Sequence, residues 1–563
     1  MLGQVIGSAT ATGIEELMDD AWVLAALRID ATADWMGTGY GSPGMFTRYP
    51  TVANTATGKW SVTANNGDWR AGFWPGTLWM LAQKTGENSW RLRATEWSQS
   101  LAATANGDHD IGFILLGSMG KGWYFHDDLS DPGGTYREFA RNAITVGAGK
   151  LGARFNKPIV PGLPIPVGMI RSWNDPFQSP YPVCIDNLMN LELLLMAYEM
   201  NGRLPEQRPW FDHALVHART SIARHLRADG GSYHVVRHFE AAPHLGGIER
   251  KNTLQGYGDE TTWARGQAWA LYGLSAVYRY ARRDPGTDAS DILAAARAVA
   301  DYFIAHLPHH RVSDPYNHRI GDHVPPKDFN AALGEPAGPW NDANDDYNPS
   351  SGIGLGDRMP ATLAFTPRDS SAAAIAAAGL IELAGFMRVS ADRTRYLDAA
   401  EDILKCLISY DGPDVGSDAD YLCVVGDPAN PGILKEGNAR WTETNRSLSY
   451  GDYYFLEAMT RLEALKAREL LATTQRIHLA NGVVGLEFER PDPAPALSYR
   501  IEKSTNLAQW NIVAAKSGGA PWTGAVEETQ LPGGVVRVRL ESAASASREF
   551  FRVLTRSVDG SAP

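Results

Sequence analysis

The chain has 563 residues, enough for more than one domain, and an ordinary globular composition apart from many glycines and 17 tryptophans. A net charge of −12 argues against a surface built to grip nucleic acid or a long polyanion, while leaving room for a small anion held by one or two arginines. No apolar run approaches membrane-spanning length, so neither a membrane nor a nucleic acid is an expected partner. Cys184, Cys406 and Cys423 are far apart and odd in number, which reads as core thiols rather than a disulfide framework or a metal motif.

After a tail at 1–13, apolar periodicity predicts helix after helix from 14 to 471. The stretches are Ile14–Trp35, Phe73–Lys84, Ser89–Ala105, Tyr136–Ala153, Asp186–Asn201 and Trp210–Leu226, then Thr262–Arg282, Asp288–His306, Ser370–Arg388, Thr394–Tyr410 and Tyr453–Leu470. Strand signals there are few; Ser232–Val236 is one. Six helices start directly after a polar loop bearing Gly or Asp: GDWRAGFWPG, HDIGF, CIDNLMN, DETTWARGQAW, PRDSSAAAIAAAG and YGDYYFLEA. More plainly amphipathic helices lie between them. Six inner helices alternating with six outer ones predict an all-α (α/α)6 barrel, a six-hairpin toroid. Its converging helix starts would favour an anionic ligand. From 472 to 563 short β-rich runs such as VVGLEFER and VVRVRLES predict a small C-terminal all-β sandwich. Packing is its expected role, with glycan binding through Trp510 and Trp522 as the alternative.

The stretch QGYGDETTWARGQAW, Gln255–Trp269, carries the most chemistry. Thr261 or Thr262 is the expected cap of its helix. Arg265 and Trp269 lie one turn apart on one face, a guanidinium beside an indole. Such a pair suits a sugar acid, the indole on the ring and the fork on the carboxylate. The alternative is a packed helix whose Arg265 pairs with Asp259 or Glu260.

Asp110 and Asp186 each stand where an inner helix begins. Either can be an N-cap and nothing more. Asp186 lies between Ile185 and a Leu/Met-rich helix, apolar surroundings that would raise its pKa. Facing Asp110 it would share one proton, supplying an acid and its conjugate base at neutral pH. Trp69, Trp173, Trp263 and Trp269 are candidate apolar walls, and His109, His234, Gln255 and Arg265 candidate hydrogen-bonding groups. Each indole alone reads equally as core; their clustering at helix entries favours the pocket. WNDANDDYNPSSG at 340–352 lacks the spacing and terminal Glu of a calcium loop and reads as solvated. No metal or cofactor motif is found.

Together the motifs DWRAGFWPG, HDIGF, IRSWN, IDNLMNLELL, QGYGDETTWARGQAWALYG, PRDSSAAAIAAAGLIEL and GDYYFLEAM, from Asp68 to Leu465, resemble the unsaturated glucuronyl hydrolases of glycoside hydrolase family 88. The resemblance implies an (α/α)6 barrel with no cofactor. It implies removal of a Δ4,5-unsaturated uronic acid from the non-reducing end of lyase-generated oligosaccharides by hydration of the double bond. Asp186 matches the general acid/base, and Asp110 the second aspartate that holds the substrate. Trp69, Trp173, Trp263 and Trp269 match pocket walls; His109, His234, Gln255 and Arg265 match polar contacts. Tyr453, or its neighbour Tyr450, would close the pocket. Arg70 and Ala71 depart from the family's DWTxGFW, the segment 328–365 looks longer than usual, and the β module is an addition. The unsaturated rhamnogalacturonyl hydrolases of family 105 are the nearest alternative; a polysaccharide lyase or a non-catalytic glycan-binding protein are the others. MLGQVIGSATATG lacks the regions of a secretory signal and by itself predicts cytoplasm, whereas a β module suits an exported bacterial enzyme. Periplasm or medium is slightly favoured.

Overall fold

The structure is a computed structural model, and it describes residues 13–37, 45–126, 131, 133–156, 167–174, 181–240, 244–308, 322–331, 367–387, 390–409, 421–423, 426–441, 443–480, 483–491, 498–504, 511–517, 519–531, 535–543 and 550–556. Trp510, the acidic stretch 340–352 and most of the long segment 328–365 fall outside them.

The helices are α1 (Ile14–Met36), α2 (Phe73–Thr85), α3 (Asn88–Gln99), α4 (Ile111–Leu115), α5 (Lys121–Phe125), α6 (Thr135–Gly152), α7 (Asn187–Met200), α8 (Arg208–His225), α9 (Ala264–Ala281), α10 (Ser290–Ala305), α11 (Ser370–Gly385), α12 (Ala391–Ile408) and α13 (Ser449–Thr474). A π-helical stretch, Leu116–Gly120, joins α4 to α5 into one continuous helical run. Two classes separate by burial. Nearly every residue of α2, α7, α9, α11 and the first two-thirds of α13 is buried, as a helix packed on all sides must be. In α3, α6, α8, α10 and α12 only one face is buried.

Contacts order the buried class into a ring. The run α4–α5 packs between α2 and α7, then α7 on α9, α9 on α11, α11 on α13, and α13 back on α2. The one-faced helices flank it, α3 on α2, α6 and α8 on α7, α10 on α9 and α12 on α11. Close approach within the ring depends on glycine. A Cβ at Gly112 would stand 2.3 Å from Asn190 Oδ1 on α7, and one at Gly273 of α9 would stand 2.6 Å from the Leu188 carbonyl carbon.

Short strands border the ring's entry loops. They are β1 (Tyr49–Asn54), β2 (Lys59–Thr63), β3 (Phe155–Asn156), β4 (Met169–Ile170), β5 (Tyr181–Cys184), β6 (Val235–His238) and β7 (Ile248–Asn252). β5, β6 and β7 form one antiparallel sheet with Cys184 opposite Val235. The single strand expected at Ser232–Val236 is thus shifted to β6 and gains two partners that alternation had not revealed. No helix among the described residues is long and apolar enough to cross a membrane.

Beyond α13 come β8 (Arg476–Ala480), β9 (Val483–Pro491), β10 (Ser498–Ser504), β11 (Asn511–Ser517), β12 (Glu527–Leu531), β13 (Val535–Ala543) and β14 (Phe550–Arg556). They form two antiparallel sheets, ordered β12-β13-β9-β8 and β11-β10-β14. Leu486, Phe488, Val536 and Val538 of one share a core with Tyr499, Ile501 and Ala514 of the other, and Ala464, Ala467 and Leu471 of α13 enter the same core. The last helix therefore runs past its expected end at Leu470 and anchors the β region. Trp522 packs on Phe488 and Tyr499 and donates to Glu528 Oε1 at 2.7 Å, a structural role.

Candidate active site

The sheet β5–β6–β7 brings distant residues together. β5 delivers Asp186 at the start of α7, β6 follows directly on His234, and β7 leads into Thr253 and Gln255. The Ile185 amide donates to the His234 carbonyl at 2.9 Å, and the Cys184 amide to Ser172 Oγ at 2.8 Å, fixing the loop that carries Trp173. The His109 amide donates to the Ser172 carbonyl at 2.9 Å, drawing HDIGF to the same place.

Asp110 and Asp186 occupy N-cap positions, yet neither side chain caps its helix. The reason is conformational. Both have helical φ/ψ (−72°, −3° and −58°, −24°), whereas a capping residue is extended so that its side chain can turn back to the first amides. Asp68 and Asp369, in extended conformations, do cap. The two carboxylates are thus spared from helix capping. Their relative placement is pinned from beneath, where the Phe113 amide donates to Asn190 Oδ1 at 2.9 Å.

His109 Nε2 lies 3.1 Å from Asp110 Oδ1. Burial alone would lower the His109 pKa, but the carboxylates of Asp110, Asp108 and Asp186 carry it above its ordinary value. Desolvation pushes the Asp110 carboxyl upward, with His109 opposing. Both Asp186 and Asp110 also act on the Cys184 thiol, which burial first of all holds well above its usual pKa. Cys184 Sγ donates to Asp186 Oδ2 at 2.9 Å. His234 is buried and its pKa falls to about 4, chiefly by desolvation, so its ring is neutral at pH 7.

The aromatic residues fall into two levels. Trp69 and Trp173 are half-buried at the entry loops; Trp173 meets the His109 ring at 6.2 Å, edge to face. Tyr450 lies 5.1 Å from Trp69, and Arg265 stands 5.3 Å over its ring. Trp263 stacks at a tilt on His234, 4.4 Å between centroids, and its indole N–H is buried without a hydrogen-bond partner. Trp269 belongs to the lower level. It is only 1% exposed, wedged between Phe113 and Tyr454, and is a supporting layer rather than a wall. Tyr453 lies in the same layer. It packs on Phe73 and Tyr454 beside Lys121, and with Tyr454, Lys121, Glu192 and Glu457 lines a small cavity of about 30 Å³. Tyr450, in the first turn of α13, is itself 1% exposed and differs from Tyr453 in its neighbours, Trp69 and Arg265 at the helix starts.

Arg265 departs most from expectation. Its Nη1 bonds Asp369 Oδ2 at 2.9 Å and the Asn438 carbonyl at 2.6 Å; its Nη2 bonds Gln255 Oε1 at 2.7 Å. It stacks 4.7 Å over Trp263. The guanidinium is 2% exposed and its fork is committed to protein groups, so it organises the pocket instead of offering an open carboxylate clamp. Asp259 and Glu260 are not its partners: Asp259 accepts from the Thr253 amide and Glu260 from the Tyr233 hydroxyl. Nor do Thr261 and Thr262 cap α9. Trp263 holds the N-cap position, Thr261 donates to Asp328, and the Thr262 amide donates to Asn330 Oδ1. Arg70 is bidentate on Asp68, which meets its charge locally.

Residues that periodicity did not single out complete the site. Asp369 is the aspartate of PRDSS, a motif read as a helix start and as part of the family resemblance, with no role given to its aspartate. Asn438 and Trp441 come from the loop before α13, Trp441 donating to the Gly256 carbonyl at 3.1 Å. Cys184, Asp186 and His234 present donor atoms all within 4.8 Å of one another, the one such metal-compatible cluster among the described residues.

No family model matches the chain. It is 32% identical over 409 residues to an unsaturated glucuronyl hydrolase of Formosa agariphila, covering 71% of this chain and 80% of that protein. It is 30% identical over 426 residues to an unsaturated glucuronyl hydrolase of Bacillus sp. strain GL1, covering 74% and 91%. Among solved structures, the crystal structure of an unsaturated glucuronyl hydrolase specific for heparin aligns with a TM-score of 0.58 at 29% identity, over 80% of this chain and 98% of the other.

Proposed function

Since the chain belongs to the unsaturated glucuronyl hydrolase family and is with it a glycoside hydrolase, we propose that it removes a Δ4,5-unsaturated uronic acid from the non-reducing end of lyase-generated oligosaccharides by hydrating the C4=C5 bond. In this reading residues 14–471 are an (α/α)6 barrel, 472–563 a β-sandwich domain, and the substrate enters at the converging helix starts. The observation that carries it is the pair Asp110 and Asp186, held at two helix starts with side chains that cap nothing.

Asp186, as the general acid, gives a proton to C4 of the enol ether. Its carboxylate then takes a proton from water as the water oxygen bonds to C5. The hemiketal so formed opens and the C1–O bond to the leaving sugar is lost. This differs from two-carboxylate glycosidases, so the separation of Asp110 and Asp186 predicts no anomeric outcome. Asp110, bonded to His109, orients the sugar hydroxyls. Trp69, Trp173 and Tyr450 flank the ring, with His234 and Gln255 as polar contacts. Arg265 orders Gln255, Trp263 and Tyr450 from behind. Metal and cofactor have no step.

The test follows the ultraviolet band of the conjugated enol acid in unsaturated disaccharides. Its loss supports hydration, a gain on intact polymer would mean a lyase, and no change a binder. Asp186→Asn is expected to lower turnover about 100-fold or more, the scale of general acid–base catalysis, with unfolding unchanged. A near-normal rate in that variant would refute the mechanism.

A further inference from the structure

We propose that Cys184, Asp186 and His234 form a binding site for a thiophilic divalent cation of the zinc type, open to the substrate pocket, and that the bound cation stops turnover by occupying the Asp186 carboxylate. The binding half stands on geometry alone; the inhibitory half rests on the proposed role of Asp186.

The three donor atoms lie within 4.8 Å of one another. They come from two strand ends that the sheet holds rigidly: Cys184 pairs with Val235, and the Ile185 amide is bonded to the His234 carbonyl. Cys184 Sγ and Asp186 Oδ2 already face each other at 2.9 Å, with the thiol proton between them. A metal ion would replace that proton. The S–H bond breaks, a thiolate–metal bond forms, the proton leaves to solvent, and no electron changes hands.

Zinc bonds of 2.0–2.3 Å in tetrahedral geometry put ligand atoms about 3.5 Å apart, so the longest edge of the triangle must shorten by about 1 Å. Asp186 is the mobile corner, half-buried and free of capping. Ligation would also reset the His234 tautomer, because Nδ1 accepts from the Leu254 amide in the metal-free protein and the ligating nitrogen must lose its proton. Thr253 Oγ1 lies 3.0 Å from His234 Nδ1, placed to accept its proton when the other ring nitrogen is ligated. The Leu254 amide, 3.2 Å from the same nitrogen, would give up the longer of the two bonds. Cys184 and His234 are buried and Asp186 alone is part-exposed, so a fourth ligand would enter from the Asp186 side, as water does in open zinc sites. Thiolate with imidazole and one carboxylate selects zinc over magnesium or calcium, which require oxygen ligands. The other two cysteines differ. Cys406 and Cys423 are also buried, but among the described residues neither belongs to such a cluster.

The full-length protein, stripped with a chelator, is titrated with Co²⁺ and then Zn²⁺. The expected result is one cobalt per chain, with tetrahedral visible bands and a thiolate-to-cobalt charge-transfer band that one equivalent of zinc removes. Cys184→Ser abolishes the charge-transfer band, while Cys406→Ser and Cys423→Ser keep it. If Cys184→Ser does not fold, His234→Gln decides, with an expected affinity loss of at least tenfold. No charge-transfer band in the unaltered protein, or a band that survives in the folded Cys184 or His234 variant, overturns the site. For inhibition, zinc lowers turnover and the chelator restores it, and Cys184→Ser, compared with its own metal-free rate, loses the response. A cobalt band without zinc inhibition overturns the inhibitory half alone. A protein inactive on unsaturated disaccharides overturns the functional reading, and the cobalt titration still decides the site.

Discussion

Arg265 and Asp369 form an ion pair at 2.9 Å that is almost wholly buried, 3% and 0% side-chain exposure. Asp369 Oδ1 meanwhile caps α11 through the Ser371 and Ala372 amides, so one carboxylate joins the starts of two inner helices. Removing one partner of such a pair leaves a buried charge uncompensated, at a cost of about 3–5 kcal/mol. Asp369→Asn is expected to show that loss in chemical denaturation. Arg265→Lys, which keeps the charge but not the fork, should lower kcat/KM, and so should Asp369→Asn, although Asp369 is fully buried. A double-mutant cycle should give a coupling of about 0.5–3 kcal/mol. Additive effects, with Arg265→Lys raising KM alone, would instead make Arg265 a direct substrate ligand.

Tyr450 and Tyr453 are one helical turn apart and separate two roles. Tyr450 borders Trp69 and Arg265; Tyr453 is held in the layer below by Phe73 and Tyr454. Tyr450→Phe is expected to reduce kcat about tenfold or more while the melting temperature stays near normal. That is about tenfold below the roughly 100-fold at which general acid–base catalysis begins, as suits a group that positions the substrate and transfers no proton. Tyr453→Phe keeps the ring packing and should leave kcat and melting temperature largely intact, whereas Tyr453→Ala should cost about 3–5 kcal/mol of stability through the cavity left in that layer. Steady-state kinetics beside thermal melts distinguish the two, and the opposite ranking would restore Tyr453 to the pocket.

Gly112 gives a steric test of how the two aspartates are spaced. A methyl there would lie 2.3 Å from Asn190 Oδ1 and 2.8 Å from its Cα. Gly112→Ala must push α4 from α7 and carry Asp110 away from Asp186. The expected outcome is a stability loss of about 1–3 kcal/mol from overpacking, with a disproportionate fall in turnover. A variant of unchanged activity would show that the mutual placement of the carboxylates is unimportant.

Stability should fall steeply in mild acid. Burial holds His217 and His238 at about 3 and His225 and His234 at about 4, against an unfolded value near 6.5. Below about pH 6.5 the unfolded chain takes up these protons while the native state refuses them, so stability decreases as pH drops towards the folded values. Each group contributes about 1.4 kcal/mol per pH unit, so four together reach roughly 5 kcal/mol per unit, comparable to a domain's whole margin. His109 and Asp110 work the other way. Both folded values are raised, so their stabilisation is complete below the unfolded values and is lost as pH rises through the folded ones. Circular dichroism should record acid unfolding near about pH 4–5, and His217→Gln should flatten the slope. A melting temperature constant from pH 7 to pH 5 would contradict this account.

Much of the architecture is legible in the amino-acid order because it is local. Apolar spacing specifies each helix, and the run SSAAAIAAAGLIELAG, apolar but for Ser370, Ser371 and Glu382, lies buried on every side, whereas ADRTRYLDAAEDILK must keep one face in water. The motifs at the helix starts likewise mark Asp110, Asp186 and Gln255–Trp269 as candidates. What no window of sequence contains is the partner of each group. Arg265 meets Asp369 and Asn438 across separations of 104 and 173 residues, and His234 meets Asp186 only because β5 and β6 pair. Such contacts depend on loop closure and on which helix faces which. Tertiary structure therefore decided that Arg265 is an internal brace, that Tyr450 and not Tyr453 borders Trp69 and Arg265, and that the Cys184 thiol faces the Asp186 carboxylate.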